Sequence, residues 1–512
     1  MGQSNSKPEH FDSPLSRHRG AIFSLLGVAT VAIIVSATVL RQSDAQPTIT
    51  ATEGPALSDI ELLGKHIFFD KISDPQRMSC STCHNPAAGW TGGISGKNLH
   101  EVAMTGADPH TVGTLKPPLN AYASLIERFQ PCTRGGSGLP LFCGGNFWNG
   151  RSIGFGGDQT GTPTEVINPD VIDSAANLTA ELKAKYKTYL IPTSDQALNP
   201  FPNHVEQNIN EREVCEAVAA AKYAKLFELA WGEPVNCVAT AYQPAPSYLA
   251  YQVTFRRIAL SIGAWQTSAD VNSFTSKRDI ALQREREGID VDSTPGKFPL
   301  VSLTAQENFG HDLFYATFFR PVIVNGAPKF GNCTLCHLSS GVAPDGTDPK
   351  ERYTDDAYHA IGTPFNPEIP GNPGPNPGLA SHTQITPNHT GFFKTPSLRN
   401  VDKRPDPDFI KAYSHNGWFK SLESIVHFYN TAAIGGATAA RFNIKRCPPE
   451  ITTEKDARKA NCWPAPEWPN AAGAIPFIIG NLNLTLEEEA AIVAYLKTFS
   501  DTYTPRQPPP YK

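Results

Sequence analysis

Methionine is nearly absent from this chain of 512 residues, which contains only Met1, Met78 and Met104. No methionine follows Met104, so a methionine thioether is excluded as a metal ligand in the remainder of the chain. Charge is also scarce: 18% of the residues are charged, and a net charge of -5 gives no basis for binding nucleic acid. Proline and glycine are plentiful instead, with 45 and 40 residues, which predicts that much of the chain is ordered loop.

Long hydrophobic runs are also few, and the clearest one extends from Gly20 to Leu40 behind Arg17 and Arg19. A run of this length can span a bilayer, and its basic flank keeps the N-terminus in the cytoplasm. Cleavage after Ser43-Asp44-Ala45 is the alternative, which would make the run a signal peptide. Residues 1–45 are therefore predicted to be a membrane anchor or a signal segment, and either one places the rest of the chain in the periplasm.

The pattern Cys-x-x-Cys-His occurs twice, at Cys80–His84 and at Cys333–His337. Two cysteines at this spacing form thioether bonds to one haem, and the histidine then ligates its iron. A zinc site needs four ligands where each copy offers three, and a thioredoxin-like site needs no histidine. The sequence therefore predicts a dihaem cytochrome c. The assigned residues are Cys80, Cys83 and His84 for the first haem, and Cys333, Cys336 and His337 for the second.

Six further cysteines form three couples that are close in sequence. An even remainder in an oxidising compartment predicts three disulfides, with free buried thiols as the alternative. The predicted pairs are Cys132 with Cys143, Cys215 with Cys237, and Cys447 with Cys462.

An internal repeat surrounds the two haem motifs. Capping boxes at Ser58 and Thr304 each open a helix, and Gly310 of the second helix matches Gly64 of the first. Each helix is followed by a loop and a haem-attachment helix, and Thr485 caps a last helix that closes the second unit. The predicted fold is mainly α, with two cytochrome c-like haem domains in tandem joined by long ordered loops.

The first domain is predicted over residues 46–285 with an insertion at about 152–193, and the second over residues 286–512. Helical patterns lie near residues 212–229 and 251–269, and the Pro- and Trp-rich tract 446–476 is predicted to be ordered surface loop.

Several longer motifs carry a family resemblance. They are Leu63–Asp70, Cys80–Thr91, Phe147–Arg151, Asp195–Phe201, Phe393–Asn400, Tyr413–Gly417 and Phe428-Tyr429. Together they resemble the bacterial dihaem cytochrome c peroxidases, and most of all the MauG-like branch of methylamine-utilisation dihaem oxidases. The resemblance covers about residues 58–503, apart from the insertion.

The resemblance implies roles for four residues of the first half. Glu206 and Gln196 match the distal pair of the first haem, where a carboxylate serves as acid and base toward peroxide and an amide orients it. Pro200 shapes the wall of that pocket. Trp148 matches a tryptophan between the two haems, which relays electrons or, in the alternative interpretation, only packs there.

Iron ligands opposite the proximal histidines are also implied. Tyr429 matches the tyrosine ligand of the MauG-like branch for the second haem, and His427 or another histidine is the alternative. For the first haem, His100 has the spacing of a displaceable histidine ligand, with His110 and water as alternatives. An open or water-bound first iron is what the branch implies.

Members of the family hold a calcium ion between the domains, in segments that correspond to Asn120 and Thr395-Pro396. His359 lies in a segment that lines the second haem in the family. Lys116 stands near a family arginine, which removes the expected arginine contact to a haem propionate.

The predicted activity is reduction of hydrogen peroxide, with electrons from a small periplasmic cytochrome c or copper protein entering at the second haem. The alternatives are a MauG-like oxidase that modifies a partner protein, and a non-enzymatic electron carrier with both irons six-coordinate. The Glu206 and Gln196 pair argues against the carrier, because electron transfer alone needs no distal acid.

Overall fold

The structure is a computed structural model that describes residues 54–132, 141–243, 245–382, 389–469 and 478–511. The predicted anchor or signal segment, residues 1–45, lies outside these residues. Within the described ranges, no helix has the length and apolar character needed to cross a membrane.

Helices carry most of the regular structure, and long loops separate them, as the composition predicts. The α-helices are α1 (Asp59–Phe69), α2 (Cys80–Cys83), α3 (Ser95–Leu99), α4 (Asp170–Asp173), α5 (Ala180–Lys187), α6 (Pro192–Gln196), α7 (Glu211–Ala220), α8 (Ala224–Trp231), α9 (Ala250–Thr267), α10 (Lys277–Arg286), α11 (Ala305–Tyr315), α12 (Leu422–Thr431), α13 (Ala437–Arg441), α14 (Glu454–Ala460) and α15 (Leu486–Lys497). Short 3-10 turns lie at Pro86–Ala88, Ala123–Leu125, Cys333–Leu335 and Leu379–Ser381.

The strands are short and pair two by two. They are β1 (Gln130–Cys132), β2 (Leu141–Cys143), β3 (Val322–Val324), β4 (Ala327–Lys329), β5 (Tyr358–His359), β6 (Phe393–Lys394), β7 (Lys445–Arg446) and β8 (Cys462–Trp463). β1–β2, β3–β4 and β5–β6 are antiparallel, and β7–β8 is parallel. The β5–β6 pair places His359 opposite Phe393.

The internal repeat appears as two equivalent helix pairs, α1 against α9 and α11 against α15. A Cβ atom on Gly64 would lie 1.8 Å from the carbonyl oxygen of Ser261, and one on Gly310 would lie 1.9 Å from that of Ala491. Glycine is therefore required at the matching position of both units, because any side chain would force the helices apart. The predicted capping boxes of α1, α11 and α15 are all present.

Two hydrophobic clusters follow from these pairs. The first packs Phe68, Trp231 and Trp265 among α1, α8 and α9. The second packs Phe314 and Tyr495 between α11 and α15, with α12 alongside. Their separation along the chain agrees with one core for each haem, although the two-domain division remains a prediction.

One predicted helix is divided in the structure. The pattern over residues 212–229 forms α7 and α8, with Ala221 in an extended conformation between them. The Tyr223 hydroxyl donates a 2.6 Å hydrogen bond to the Asp70 carboxylate just after α1. We attribute the break to this long-range bond, which competes with a continuous helix.

The tract 446–476 also contains more regular structure than predicted. Its described part includes α14, which Thr453 caps by accepting a hydrogen bond from the Asp456 amide, so the prediction of surface loop alone was wrong. The cause is a local capping signal within a Pro-rich surrounding.

The predicted disulfides are confirmed. The bonded pairs are Cys132–Cys143, Cys215–Cys237 and Cys447–Cys462. The four cysteines of the haem motifs take no part in these disulfides.

The insertion at 152–193 packs on the first hydrophobic cluster through Val171 and Ile172 of α4 and Tyr186 of α5. The Tyr186 hydroxyl donates to the carbonyl of Ala230 at 2.7 Å. The insertion therefore adds to the core around the first motif.

Candidate active site

The first haem motif lies on α2 and the residue that follows it. Burial raises the pKa of the Cys80 thiol to about 12 and lowers the pKa of His84 to about 4. The Nδ1 atom of His84 is 3.0 Å from the carbonyl oxygen of Pro118. Because a carbonyl only accepts, Nδ1 carries the proton and Nε2 keeps a free lone pair, as an iron ligand requires.

The second haem motif repeats this geometry on a 3-10 turn. His337 Nδ1 donates to the carbonyl of Tyr353 at 2.9 Å, which again leaves Nε2 with a free lone pair. Burial raises the pKa of the Cys333 thiol to about 12. Both motifs thus hold a neutral, oriented imidazole beside two half-buried thiols.

A cavity of about 690 Å³ opens beside the second motif. Cys333, Cys336 and His337 line it on one side and Tyr429 of α12 lines it on another. Its volume is in the usual range of about 300–1,000 Å³ for small-molecule and cofactor pockets, and apolar side chains make up most of its wall. The thiol pair, the oriented imidazole and the cavity together fit a covalently bound haem.

Tyr429 and His427 lie on the same helix but have different surroundings. Tyr429 borders the cavity, and burial raises the pKa of its phenol. His427 Nδ1 is instead 2.9 Å from the Glu489 carboxylate, and its ring packs against Phe442 and Trp463. Of the two residues, Tyr429 lines the cavity that His337 also lines, and His427 does not.

Cys336, Asp355 and His359 also form a group whose ligand atoms lie within 4.8 Å of one another. Cys336 belongs to the haem motif, where a thioether bond would use its sulfur. His359 lines the cavity, and its Nε2 is 2.7 Å from Asp355 Oδ2. We assign this group to the wall of the haem site rather than to a separate metal.

Glu206 lies beside the first motif. Its half-buried carboxylate accepts a 2.9 Å hydrogen bond from Asn203 Nδ2, and its charge contributes to the raised pKa of both motif thiols. Burial raises the pKa of Glu206, while the Asn203 bond and the Arg151 charge oppose the rise. A carboxyl group with a raised pKa is a stronger base than an ordinary glutamate once it is ionised, which suits a group that exchanges protons with a substrate.

Gln196 is the last residue of α6 and lines a second, small cavity of about 50 Å³. Within the described part of the chain, its hydrogen bonds do not include one to Glu206. The structure therefore places the predicted distal pair in the same half of the protein without joining the two side chains directly. Pro200 is half-buried, and its carbonyl accepts from the Gln207 amide at 3.0 Å, which closes the turn that leads to Glu206.

Trp148 borders both cavities, the large one with His337 and the small one with Gln196. Its indole Nε1 donates to the carbonyl of Lys116 at 2.8 Å, and its ring is 8% exposed. The ring centroid lies 6.4 Å from that of His415. Trp148 is thus fixed in the wall between the two parts of the site.

Residues 58–287 match the family described as di-haem cytochrome c peroxidase. Over 459 residues the chain is 26% identical to the methylamine utilization protein MauG of Paracoccus denitrificans, a match that covers 87% of this chain and 90% of that protein. Residues 58–287 of the chain therefore belong to the di-haem cytochrome c peroxidase family. The protein is therefore an oxidoreductase, and a purely electron-carrying role is set aside.

The chain is also similar to other known proteins. It is 22% identical over 447 residues to the cytochrome-c peroxidase IdrP2 of Denitromonas iodatirespirans, covering 81% of this chain and 84% of that one. Its fold is similar to that of the diheme peroxidase BthA from Burkholderia thailandensis, with a TM-score of 0.57, 20% identity and 88% of each chain covered. A MauG-like protein associated with microbial copper homeostasis gives a TM-score of 0.51 at 21% identity, over 88% of this chain and 91% of that one.

The histidines considered for the first iron lie on the surface of the peroxidase. The His100 side chain is 65% exposed and its Nδ1 is 3.7 Å from the Glu368 carboxylate. His110 is exposed as well. This geometry gives no support to either residue as a ligand.

The segments implied in calcium binding meet at the small cavity, which Asn120, Thr395 and Pro396 line together. Asn120 is 8% exposed. Amide and carbonyl oxygens are ligands that calcium prefers, so these residues fit such an ion.

Lys116 is buried, and burial lowers its pKa to about 8. Its Nζ donates to the carbonyl of Pro117 at 3.2 Å, and the residue lines the large cavity. Lys116 thus brings an amino group to the cavity wall, at a position where the sequence resemblance implies an arginine.

Sequence reasoning missed several contributors to the site. Arg151 ends the Phe147–Arg151 motif, and its guanidinium stacks 3.7 Å above the Phe147 ring and acts on Glu206. Asn203 and Glu467 carry no sequence signal, because each acts through a partner that folding brings near. Their roles could only be read from the structure.

Proposed function

We propose that this protein reduces hydrogen peroxide at the haem held by Cys80, Cys83 and His84, with Glu206 as the acid/base. The observation that carries the proposal is the half-buried Glu206 carboxyl group beside the first motif, with its raised pKa and its fixed partner Asn203. When bound, haem c supplies an iron that binds peroxide and exchanges electrons with it.

The side chains have separate parts in this reaction. Glu206 takes a proton from one peroxide oxygen and returns it to the oxygen that leaves as water. Asn203 holds Oε2 of Glu206, and the Arg151 charge opposes the rise in its pKa that burial causes. Gln196 orients peroxide through its amide, and Pro200 shapes the turn between them.

The surface position of His100 supports a first iron that is open to peroxide. Helix α3, which precedes it, is bound to the second half of the chain: the Ile410 amide donates to Ser95 Oγ at 2.9 Å, and Asn98 Nδ2 donates to the Ile410 carbonyl at 2.9 Å. Lys420 Nζ also donates to the Asn98 carbonyl at 3.0 Å. A movement of His100 into the protein would have to break these bonds.

Electrons would enter at the haem held by Cys333, Cys336 and His337, and pass by way of Trp148. Tyr429 is the proposed sixth ligand there, supported by its place in the cavity wall and by the lack of methionine beyond Met104. The donor would be a small cytochrome c or copper protein of the periplasm, where residues 1–45 would anchor or direct the chain. Calcium at Asn120, Thr395 and Pro396 would join the two halves.

A second candidate is a MauG-like oxidase that uses peroxide to modify a partner protein. Tyr429 favours it, because an anionic phenolate stabilises oxidised iron.

Both candidates can be tested with the holo-protein, hydrogen peroxide and a reduced small cytochrome c. Peroxide-dependent oxidation of the cytochrome through many turnovers supports the peroxidase. No oxidation of any small redox donor, combined with covalent change in a protein from the same periplasm, would replace it by the oxidase.

A further inference from the structure

A buried histidine–glutamate pair lines the large cavity and has no part in the chemistry above. His415 Nε2 is 2.8 Å from Glu467 Oε2, and the two side chains are 5% and 3% exposed. Both residues border the cavity together with Trp148 and His337. A titratable pair therefore stands inside the site of the second haem.

The pair is held firmly in place. Glu467 Oε1 accepts from the Asn376 amide at 2.6 Å, and Oε2 also accepts from Asn416 Nδ2 at 3.2 Å. The His415 ring stacks on Phe393 with 3.4 Å between centroids and meets the Trp148 ring edge-on. These contacts fix the imidazole between a carboxylate and the aromatic wall, so its protonation can change without movement of the chain.

A change of charge at the second haem would act on the His415–Glu467 pair. An electron that arrives at the second haem adds a negative charge to a space of low dielectric, where it acts strongly on neighbouring ionisable groups. An imidazole beside a carboxylate is the group best placed to compensate by taking a proton, because Glu467 stabilises the imidazolium form.

Other charged groups face the same cavity. They are Lys116, Lys394, Lys411, Arg399 and the His359–Asp355 pair. The cations oppose a positive charge on His415, and Glu467, in direct contact, favours it. His359 is the competing imidazole, so the experiment must separate the two.

We propose that the His415–Glu467 pair takes up one proton from solvent each time the second haem accepts one electron. This inference rests on the proposed function, in which electrons enter at that haem. Reduction of one peroxide molecule to two water molecules consumes two electrons and two protons, so two such uptakes balance one turnover. The electron reduces the haem iron, and the proton forms an N–H bond on His415.

The test is a spectroelectrochemical titration of the holo-protein at a series of pH values, following the second haem. If one proton is taken up with one electron, the reduction equilibrium changes tenfold per pH unit. The reduction potential of the second haem then falls with a slope of 59 mV per pH unit, the value for a one-electron couple. We expect that slope over part of the pH range in which the holo-protein is stable. In His415→Asn the slope should vanish.

Two further variants test whether the slope comes from the His415–Glu467 pair. Glu467→Gln keeps the volume of the side chain and should move the sloping region to lower pH, because the imidazolium loses its carboxylate. His311→Asn is the matched control: His311 is buried and paired with Asp312 at 3.0 Å, and lies outside the cavity lining. Its titration should equal that of the wild type.

A slope that persists in His415→Asn would overturn the proposal. Loss of the slope in His359→Asn alone would assign the proton to the His359–Asp355 pair. If the slope persisted in both His415→Asn and His359→Asn, the proton would be assigned to the haem propionates. Since the potential is measured without peroxide, failure here is distinct from failure of the proposed peroxidase activity.

Discussion

Replacing Glu206 by glutamine removes the proposed proton acceptor and little else. Glutamine has nearly the volume of glutamate and can still pair with Asn203, which now donates to Oε2 at 2.9 Å. General acid–base catalysis contributes about 10²–10⁴-fold. At about 1.4 kcal/mol per tenfold, the loss corresponds to about 3–5 kcal/mol of transition-state stabilisation.

The assay is the second-order rate constant for hydrogen peroxide, measured by stopped-flow absorbance on oxidised holo-protein. Glu216→Gln is the matched control, because that carboxylate is exposed and paired with Arg212 on the surface. We expect the Glu206 variant to be at least about 100-fold slower and the control to equal the wild type. Equal rates for Glu206→Gln and wild type would refute the catalytic assignment.

The pH dependence gives an independent check. Burial holds the pKa of Glu206 above the ordinary glutamate value of 4.5, and the base form is required to accept a proton. The rate constant should therefore fall on the acid side with a midpoint above 4.5. Asn203→Leu removes a bond that lowers this pKa, so it should move the midpoint to higher pH. If the midpoint did not move in Asn203→Leu, a group other than Glu206 would control the fall of the rate constant at low pH.

Three further predictions concern the second half and its link to the first. Tyr429→Phe should change the absorbance spectrum of the second haem and raise its reduction potential, whereas His427→Gln should leave the spectrum as it is; the reverse pattern would make His427 the ligand. Trp148→Phe should slow donor-driven turnover about tenfold, a barrier increase of about 1.4 kcal/mol, without slowing the first reaction of the oxidised protein with peroxide; equal slowing of both would indicate a packing role. Removing the Cys447–Cys462 disulfide by a double change to alanine should lower the free energy of unfolding by about 3 kcal/mol for a separation of 15 residues, measured by denaturant titration against the wild type.

Much of the architecture could be predicted because its signals are local. The two Cys-x-x-Cys-His motifs, the capping boxes and the three disulfide couples each lie within a few dozen residues. The equivalence of Gly64 and Gly310 also followed from the repeat, and the close helix contacts at both positions give it a physical cause.

The remainder depends on contacts between distant segments. Helices α7 and α8 separate where Tyr223 reaches Asp70, and neither residue carries that information alone. The exposure of His100 follows from bonds between the preceding helix, α3, and residues some three hundred positions later. His415 stood within a recognised motif, but only the fold brings Glu467 to it.

The central claim is that the first haem meets peroxide directly, with His100 held away from it. Rapid mixing of hydrogen peroxide with the fully oxidised holo-protein, followed at the Soret band, tests this claim most directly. The account predicts a prompt change with no reductant present, and the same rate in His100→Ala. No change until one electron is added would contradict it, because a protein ligand would then close the iron of the first haem until the second is reduced.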